Sequence, residues 1–93
     1  VFKHSTRCPV SSQAALSLQR WDAPADTPPM FLVHVVEDRI LSLAMADRWE
    51  VRHESPQLLW WLNGKIQHHT SHFEVRGTTI SAWMDQTIAP NLG

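Results

Sequence analysis

The chain has one cysteine, Cys8, and its surroundings suit it to react. It sits in Lys3-His4-Ser5-Thr6-Arg7-Cys8-Pro9-Val10-Ser11-Ser12, after a short apolar-led start and just before a helical pattern. The first turn of a helix has backbone N–H groups without intrahelical acceptors, and it carries the positive end of the helix dipole. Both favour the thiolate, which is the nucleophilic form of cysteine. Pro9 fits the first helical position, where a missing N–H costs nothing. Arg7 adjoins the thiol, and Lys3 is a second cation expected within its reach. A lone cysteine is often no more than a small buried hydrophobe. The polar and charged flanks of Cys8 point instead to a reactive thiol.

His68, His69 and His72 could be combined with Cys8 into a metal set. His68 and His72 are four apart, but on a strand that spacing does not build a shared helical face, and the paired ligand pattern of a zinc site is missing. No metal is therefore assigned. His68 and His69 read as solvated hairpin residues. The five tryptophans, Trp21, Trp49, Trp60, Trp61 and Trp83, read mostly as packing between helices and sheet. Trp60 and Trp61 are adjacent on a strand, so they point to opposite faces and at least one belongs to the core.

The elements that must position Cys8 follow from periodicity. Val1 to His4 reads as the end of a strand. From Pro9, the residues Val10, Ala14, Leu18 and Trp21 recur at helical spacing, and the helix stops by Asp22-Ala23-Pro24. Met30 to Val36 is a nearly continuous apolar run, the mark of a strand buried on both faces with parallel pairing. Arg39 to Trp49 is helical by composition, with apolar positions spread around more than one face. Gln57 to Leu62 is a strand, and Asn63-Gly64 turns it back antiparallel onto Lys65 to Thr70. After Gly77, Thr78 can cap a last helix striped by Ile80, Trp83, Met84, Thr87 and Ile88, which Pro90 ends. The order β-α-β-α-β-β-α predicts an α/β sandwich on a mixed four-stranded sheet.

Ninety-three residues, 43% hydrophobic and 18% charged, make one globular domain over residues 1–93. A net charge of -1 gives no electrostatic case for nucleic acid or an anionic membrane as partner. No apolar run has the length of a membrane span. One cysteine excludes an internal disulfide, which fits a reducing, cytoplasmic setting. The chain starts at Val1 rather than Met, which leaves room for an N-terminal extension ahead of it.

The predicted order, with a cysteine at the first helix start and a proline opening the third strand, is the layout of the thioredoxin fold. The likeness goes further. Lys3-His4-Ser5-Thr6-Arg7-Cys8-Pro9-Val10-Ser11, His53-Glu54-Ser55-Pro56-Gln57 and Ser71-His72-Phe73 resemble the monothiol bacilliredoxins, thioredoxin-like proteins of the bacillithiol system. The resemblance runs over essentially the whole chain. It implies a Cys-Pro-x-Ser active site at Cys8, Pro9 and Ser11. It also implies a cis bond at Pro56 facing the cysteine, docking of the substrate backbone by Ser55, and Ser71 and His72 near the bound thiol. Two positions depart from the family pattern. Arg7 stands where a small polar residue is common, and Glu50 where glycine is frequent.

The activity implied is that of a thiol-disulfide oxidoreductase. It would need no bound cofactor and would use bacillithiol, or another low-molecular-weight thiol, as cosubstrate. Its partners would be S-thiolated client proteins. Dithiol oxidoreductases resolve the mixed disulfide with a second cysteine three positions on. Ser11 occupies that place and cannot, so an outside thiol must release Cys8. Ser11 can instead offer its hydroxyl to the thiolate, or serve as an ordinary first-turn polar residue. Two other readings compete: a redox sensor or adaptor whose Cys8 does not turn over, and a carrier in which Cys8 and an external thiol hold an iron–sulfur cluster.

Overall fold

Phe2 and His4 lie on one side of the first strand and Lys3 on the other, and that alternation divides the protein into two layers around a central sheet. The computed structural model describes residues 1–88. Its elements are β1 (Phe2–His4), α1 (Pro9–Arg20), β2 (Leu32–His34), α2 (Arg39–Trp49), β3 (Gln57–Leu62), β4 (Lys65–Ser71), a 3-10 turn (His72–Glu74) and α3 (Gly77–Ile88). The sheet is ordered β2-β1-β3-β4. β1 pairs parallel with β2 and antiparallel with β3, and β3 pairs antiparallel with β4. This is the β-α-β-α-β-β-α order on a mixed sheet that periodicity predicts.

On one face, Phe2, Ala14, Leu58, Val75, Ile80 and Met84 form the buried core, with Leu18, Trp21, Trp60 and Trp83 packed against it. Each large apolar side chain taken fully out of water there contributes roughly 1.5–3 kcal/mol. The core joins α1 and α3 to the sheet. One contact is especially close: the Trp21 indole fills the space that a side chain at Gly77 would need. Trp61 points away and is 52% exposed, so the adjacent tryptophans do divide between core and surface. The register shifts between them, a β-bulge in the β3–β4 ladder.

Lys3 lies on the other face. Its side chain is fully buried, and Nζ donates to the Ser42 carbonyl of α2 at 2.7 Å. This corrects the expectation of Lys3 beside the thiol: strand alternation sends its ammonium to α2, whereas His4 faces α1. It also explains α2, where Ser42 is buried while Ile40, Leu41 and Leu43 are exposed. A small residue on the inner face lets the lysine reach the helix backbone.

Three further expectations are revised. The apolar run Met30–Val36 is a strand only over Leu32–His34, and it forms the sheet's edge, with Phe31 66% and Leu32 53% exposed. Its sole strand neighbour, β1, has three residues, and Pro28 and Pro29 bring no N–H to a longer ladder. The last helix starts at Gly77, with the Arg76 carbonyl accepting from the N–H groups of Thr79 and Ile80, so Thr78 already lies inside the first turn. His68 is not a solvated residue, because its ring stacks on Trp83 at 5.3 Å and 11°. The side chains of Thr87 and Ile88, and Pro90, lie outside the described residues.

Turn chemistry agrees with the local sequence at the hairpin, where Asn63 and Gly64 both have positive φ, at 54° and 82°. It disagrees at Glu50, which caps α2 in the left-handed region at φ 54°. That geometry is one glycine adopts without the steric cost a side chain brings. Glu50→Gly is expected to raise stability by about 0.5–1 kcal/mol, relieving the left-handed strain against some added freedom of the unfolded chain. Gly77→Ala should cost about 2–3 kcal/mol, because its Cβ collides with Trp21. Urea denaturation of the two variants beside the parent checks both signs.

Candidate functional site

The register of β1 against β3 decides which residues gather around Cys8. Phe2 lies opposite Leu58 and Lys3 opposite Gln57. Ser55 and Pro56 precede Gln57, and His4 and Ser5 follow Lys3, so both pairs lie at the same end of the sheet. On the far side of β3, the His72 N–H donates to the Pro56 carbonyl at 2.9 Å. On the near side, the Val35 N–H donates to the His4 carbonyl at 3.0 Å, and the His4 and His34 rings lie 6.0 Å apart. The ends of β1, β2 and β4 and the start of β3 thus meet at one edge of the sheet, where α1 begins.

Cys8 is the N-cap of α1, extended at φ -108° and ψ 119°, with Pro9 in the first helical turn. It is half-buried and free of any disulfide. Its carbonyl accepts from the Ser12 N–H at 3.0 Å, and its N–H donates to Ser5 at 3.3 Å. The capping side chain is therefore a thiol that makes no hydrogen bond to the helix, so sulfur is left for other chemistry. Arg7 next to it is exposed.

Ser11 is fully buried. Its Oγ accepts from the Ser5 N–H at 2.9 Å and lies 2.7 Å from His4 Nδ1. Burial holds the His4 imidazole below the usual histidine range, with His34 adding to the effect and Glu37 opposing it. Whichever of the two carries the shared proton, the bond ties Ser11 Oγ to the His4 ring. The hydroxyl is then committed to two partners in the turn between β1 and α1, neither of them Cys8. Of the two roles read for Ser11 in the sequence, the local structural one describes this geometry.

The Ser55–Pro56 peptide bond is cis, Pro56 is buried, and Ser55 Oγ is buried with no hydrogen-bond partner. Ser71 ends β4 opposite Gln57, and His72 follows it with φ at 58° and an exposed side chain. Pro56, Ser71 and His72 are thus brought together at the sheet edge.

His4 escaped the sequence reading as a functional residue. The alternation of β1, which sets His4 on the same side as the inward face of α1, was the signal that could have found it. Behind the proline loop, Gln57 Nε2 donates to the Arg52 carbonyl at 2.9 Å, and His53 Nδ1 lies 3.4 Å from Ser42 Oγ. Burial, then the nearby Lys3 and Arg39 charges, lowers the affinity of His53 for its proton. Among the described residues no three His, Cys, Asp or Glu side chains come together as ligands for a metal ion. Among them, too, no helix is long and apolar enough to cross a membrane.

Comparison with known proteins bears on the family and the fold. The family model for monothiol bacilliredoxins matches residues 1–80. A solved structure described as having a thioredoxin fold, and provisionally as an oxidoreductase, superposes with a TM-score of 0.74 at 28% identity. The match covers 87% of this chain and 71% of that one.

Two predictions follow from the site's hydrogen bonds and burial. Ser11→Ala leaves the buried Ser5 N–H without its acceptor and should cost about 1–3 kcal/mol in urea denaturation. Burial lowers the proton affinity of His4, His53 and His68 alike, so each binds a proton less readily folded than unfolded. The stability this represents is complete above the unfolded value near 6.5 and is lost as pH falls through it. Thermal midpoints should therefore drop as pH falls from 7 towards 5. The drop should be shallower in His68→Phe, which keeps a ring on Trp83.

Proposed function

The chain belongs to the monothiol bacilliredoxin family, and from that premise we propose that it removes bacillithiol from protein mixed disulfides through Cys8. The observation that carries this reading is the pairing of a half-buried N-cap thiol with a serine three positions on whose hydroxyl is spent on His4 and Ser5. With one cysteine in the chain, attack and release have to come from different molecules.

In the first step the Cys8 thiolate attacks the bacillithiol sulfur of the client mixed disulfide. A Cys8–bacillithiol disulfide forms, and the client sulfur leaves as its thiolate. In the second, the thiolate of a free bacillithiol attacks the bacillithiol sulfur on Cys8. Cys8 leaves as thiolate and bacillithiol disulfide is released. The disulfide bond passes from client–bacillithiol to bacillithiol–bacillithiol: the client sulfur is reduced to thiolate, the free bacillithiol sulfur is oxidised to the disulfide level, and the bacillithiol that arrived on the client keeps its oxidation level. No bound cofactor takes part; bacillithiol is the cosubstrate.

The chain's own residues have separate tasks in this scheme. The start of α1 supplies N–H groups and dipole to the sulfur that carries negative charge before and after each displacement. Ser55 and Pro56 hold the client chain beside Cys8, Ser55 pairing through its backbone. Ser71 and His72 border the incoming thiol from the opposite side of Pro56. Arg7, exposed next to the sulfur, favours an anionic partner. A reducing compartment such as the cytoplasm supplies the free thiol.

Mass spectrometry during reaction with a bacillithiolated protein tests the proposal. One bacillithiol should appear on Cys8 and be discharged by free bacillithiol, and Cys8→Ala should leave the client modified. Bacillithiol that reaches Cys8 and stays there would favour a sensor. A visible chromophore after anaerobic purification, with no transfer, would favour the cluster carrier.

A further inference from the structure

A cleft of about 260 Å³ runs between α1 and the 3-10 turn, and its position relative to Cys8 gives it a use. One wall is Val10, Gln13, Ala14 and Ser17, which at i, i+3, i+4 and i+7 form a single face of α1. The other is His72, Phe73, Val75 and Arg76. Cys8 itself is not part of the lining; Val10, two residues on, begins the α1 wall, and His72, which begins the other, is tied to Pro56. At 1.5 Å per residue α1 rises roughly 14 Å from the cysteine to Ser17. A group bonded to Cys8 Sγ enters the cleft by extending past Val10.

Its chemistry is one-sided. The lining contains the Arg76 guanidinium, the His72 imidazole, the Gln13 amide and the Ser17 hydroxyl, and it contains no carboxylate. Arg76 meets Glu74 at 3.4 Å, but both are exposed, at 53% and 61%, so this pairing is weak and readily exchanged. At the mouth, Phe73 is 75% exposed, a large ring kept in solvent where a bound molecule could cover it.

We infer that this cleft binds the body of an anionic low-molecular-weight thiol, with Arg76 holding its carboxylate and Gln13 hydrogen-bonding its polar groups. The client protein then occupies the Ser55–Pro56 side, so the two partners of the exchange approach Cys8 from different directions. The inference rests on the proposed transfer reaction and adds to it the place and charge of the small thiol. In chemical terms, the thiol whose sulfur is bonded to Cys8 lies with its anionic end at Arg76. The second thiolate attacks that sulfur, and Cys8 departs as thiolate, as in the exchange above.

The test is the equilibrium between free Cys8 and its mixed disulfide with each of two thiols, bacillithiol, which is anionic, and 2-mercaptoethanol, which is neutral. Each is offered as its symmetric disulfide with a measured excess of the free thiol, which is also the product, and the fraction of Cys8 carrying it is read by mass spectrometry. Arg76→Gln should lower the equilibrium constant for the bacillithiol adduct about 5- to 10-fold, the loss of one charge-assisted hydrogen bond. It should leave the 2-mercaptoethanol adduct unchanged. Gln13→Ala should give a smaller change with the same selectivity, and Gln19→Ala, exposed on α1 outside the cleft, should affect neither thiol. Arg76 and Gln13 are surface residues, and circular dichroism verifies that the variants fold.

Equal loss with both thiols would overturn the inference and leave the transfer reaction standing. So would selectivity that vanishes in Arg7→Gln and persists in Arg76→Gln. Failure of the unaltered protein to accept or release bacillithiol at all would overturn the reaction itself, and the cleft's role with it.

Discussion

A buried hydroxyl holds the active edge of this protein together. Ser11 Oγ satisfies the Ser5 N–H and the His4 ring at once, tying the end of β1 to the first turn of α1. Cys8 sits inside the loop those bonds close. Its N-cap position is set within that tie by backbone bonds, its own N–H donating to the Ser5 carbonyl and its carbonyl accepting from the Ser12 N–H. The residue that prevents an internal disulfide is thus also the one that presents the thiol. Replacing it with cysteine would exchange a strong acceptor for a weak one at a site with no spare volume.

The opposite face of β1 carries a second buried polar group with a different logic. Lys3 is fully enclosed and donates to a helix carbonyl instead of a carboxylate. Burial lowers its proton affinity accordingly. Its register partner Gln57 is also buried, with Oε1 lacking a hydrogen-bond partner. These two side chains lie directly behind the strand and loop that carry Cys8 and Pro56. Core and site therefore share one three-residue strand, and the site cannot shift without moving both layers.

The element order, the helices α1 and α2 and the Asn-Gly hairpin were legible in the sequence because each depends on local spacing and turn chemistry. Cys8 was legible for the same reason. What escaped depends on contacts distant in sequence. The run Met30–Val36 looks like a buried strand, but the short β1 and the two prolines before it limit pairing to Leu32–His34. Lys3 looks like an active-site cation until alternation and the small Ser42 send it to α2. His68 looks solvated until α3 brings Trp83 against it. Ser11 allowed two roles in the sequence, and only the position of His4 separates them.

The solitary cysteine has one further meaning. A protein that closes an internal disulfide can hold a pair of electrons between encounters and act as a small redox reservoir. Cys8 has no partner with which to do that, so this protein banks nothing. Whatever state its sulfur is in at a given moment was set by the last thiol it met. Under the proposed exchange its working direction is therefore that of the surrounding thiol pool, and a mass-action change in that pool passes straight through it to the proteins it acts on.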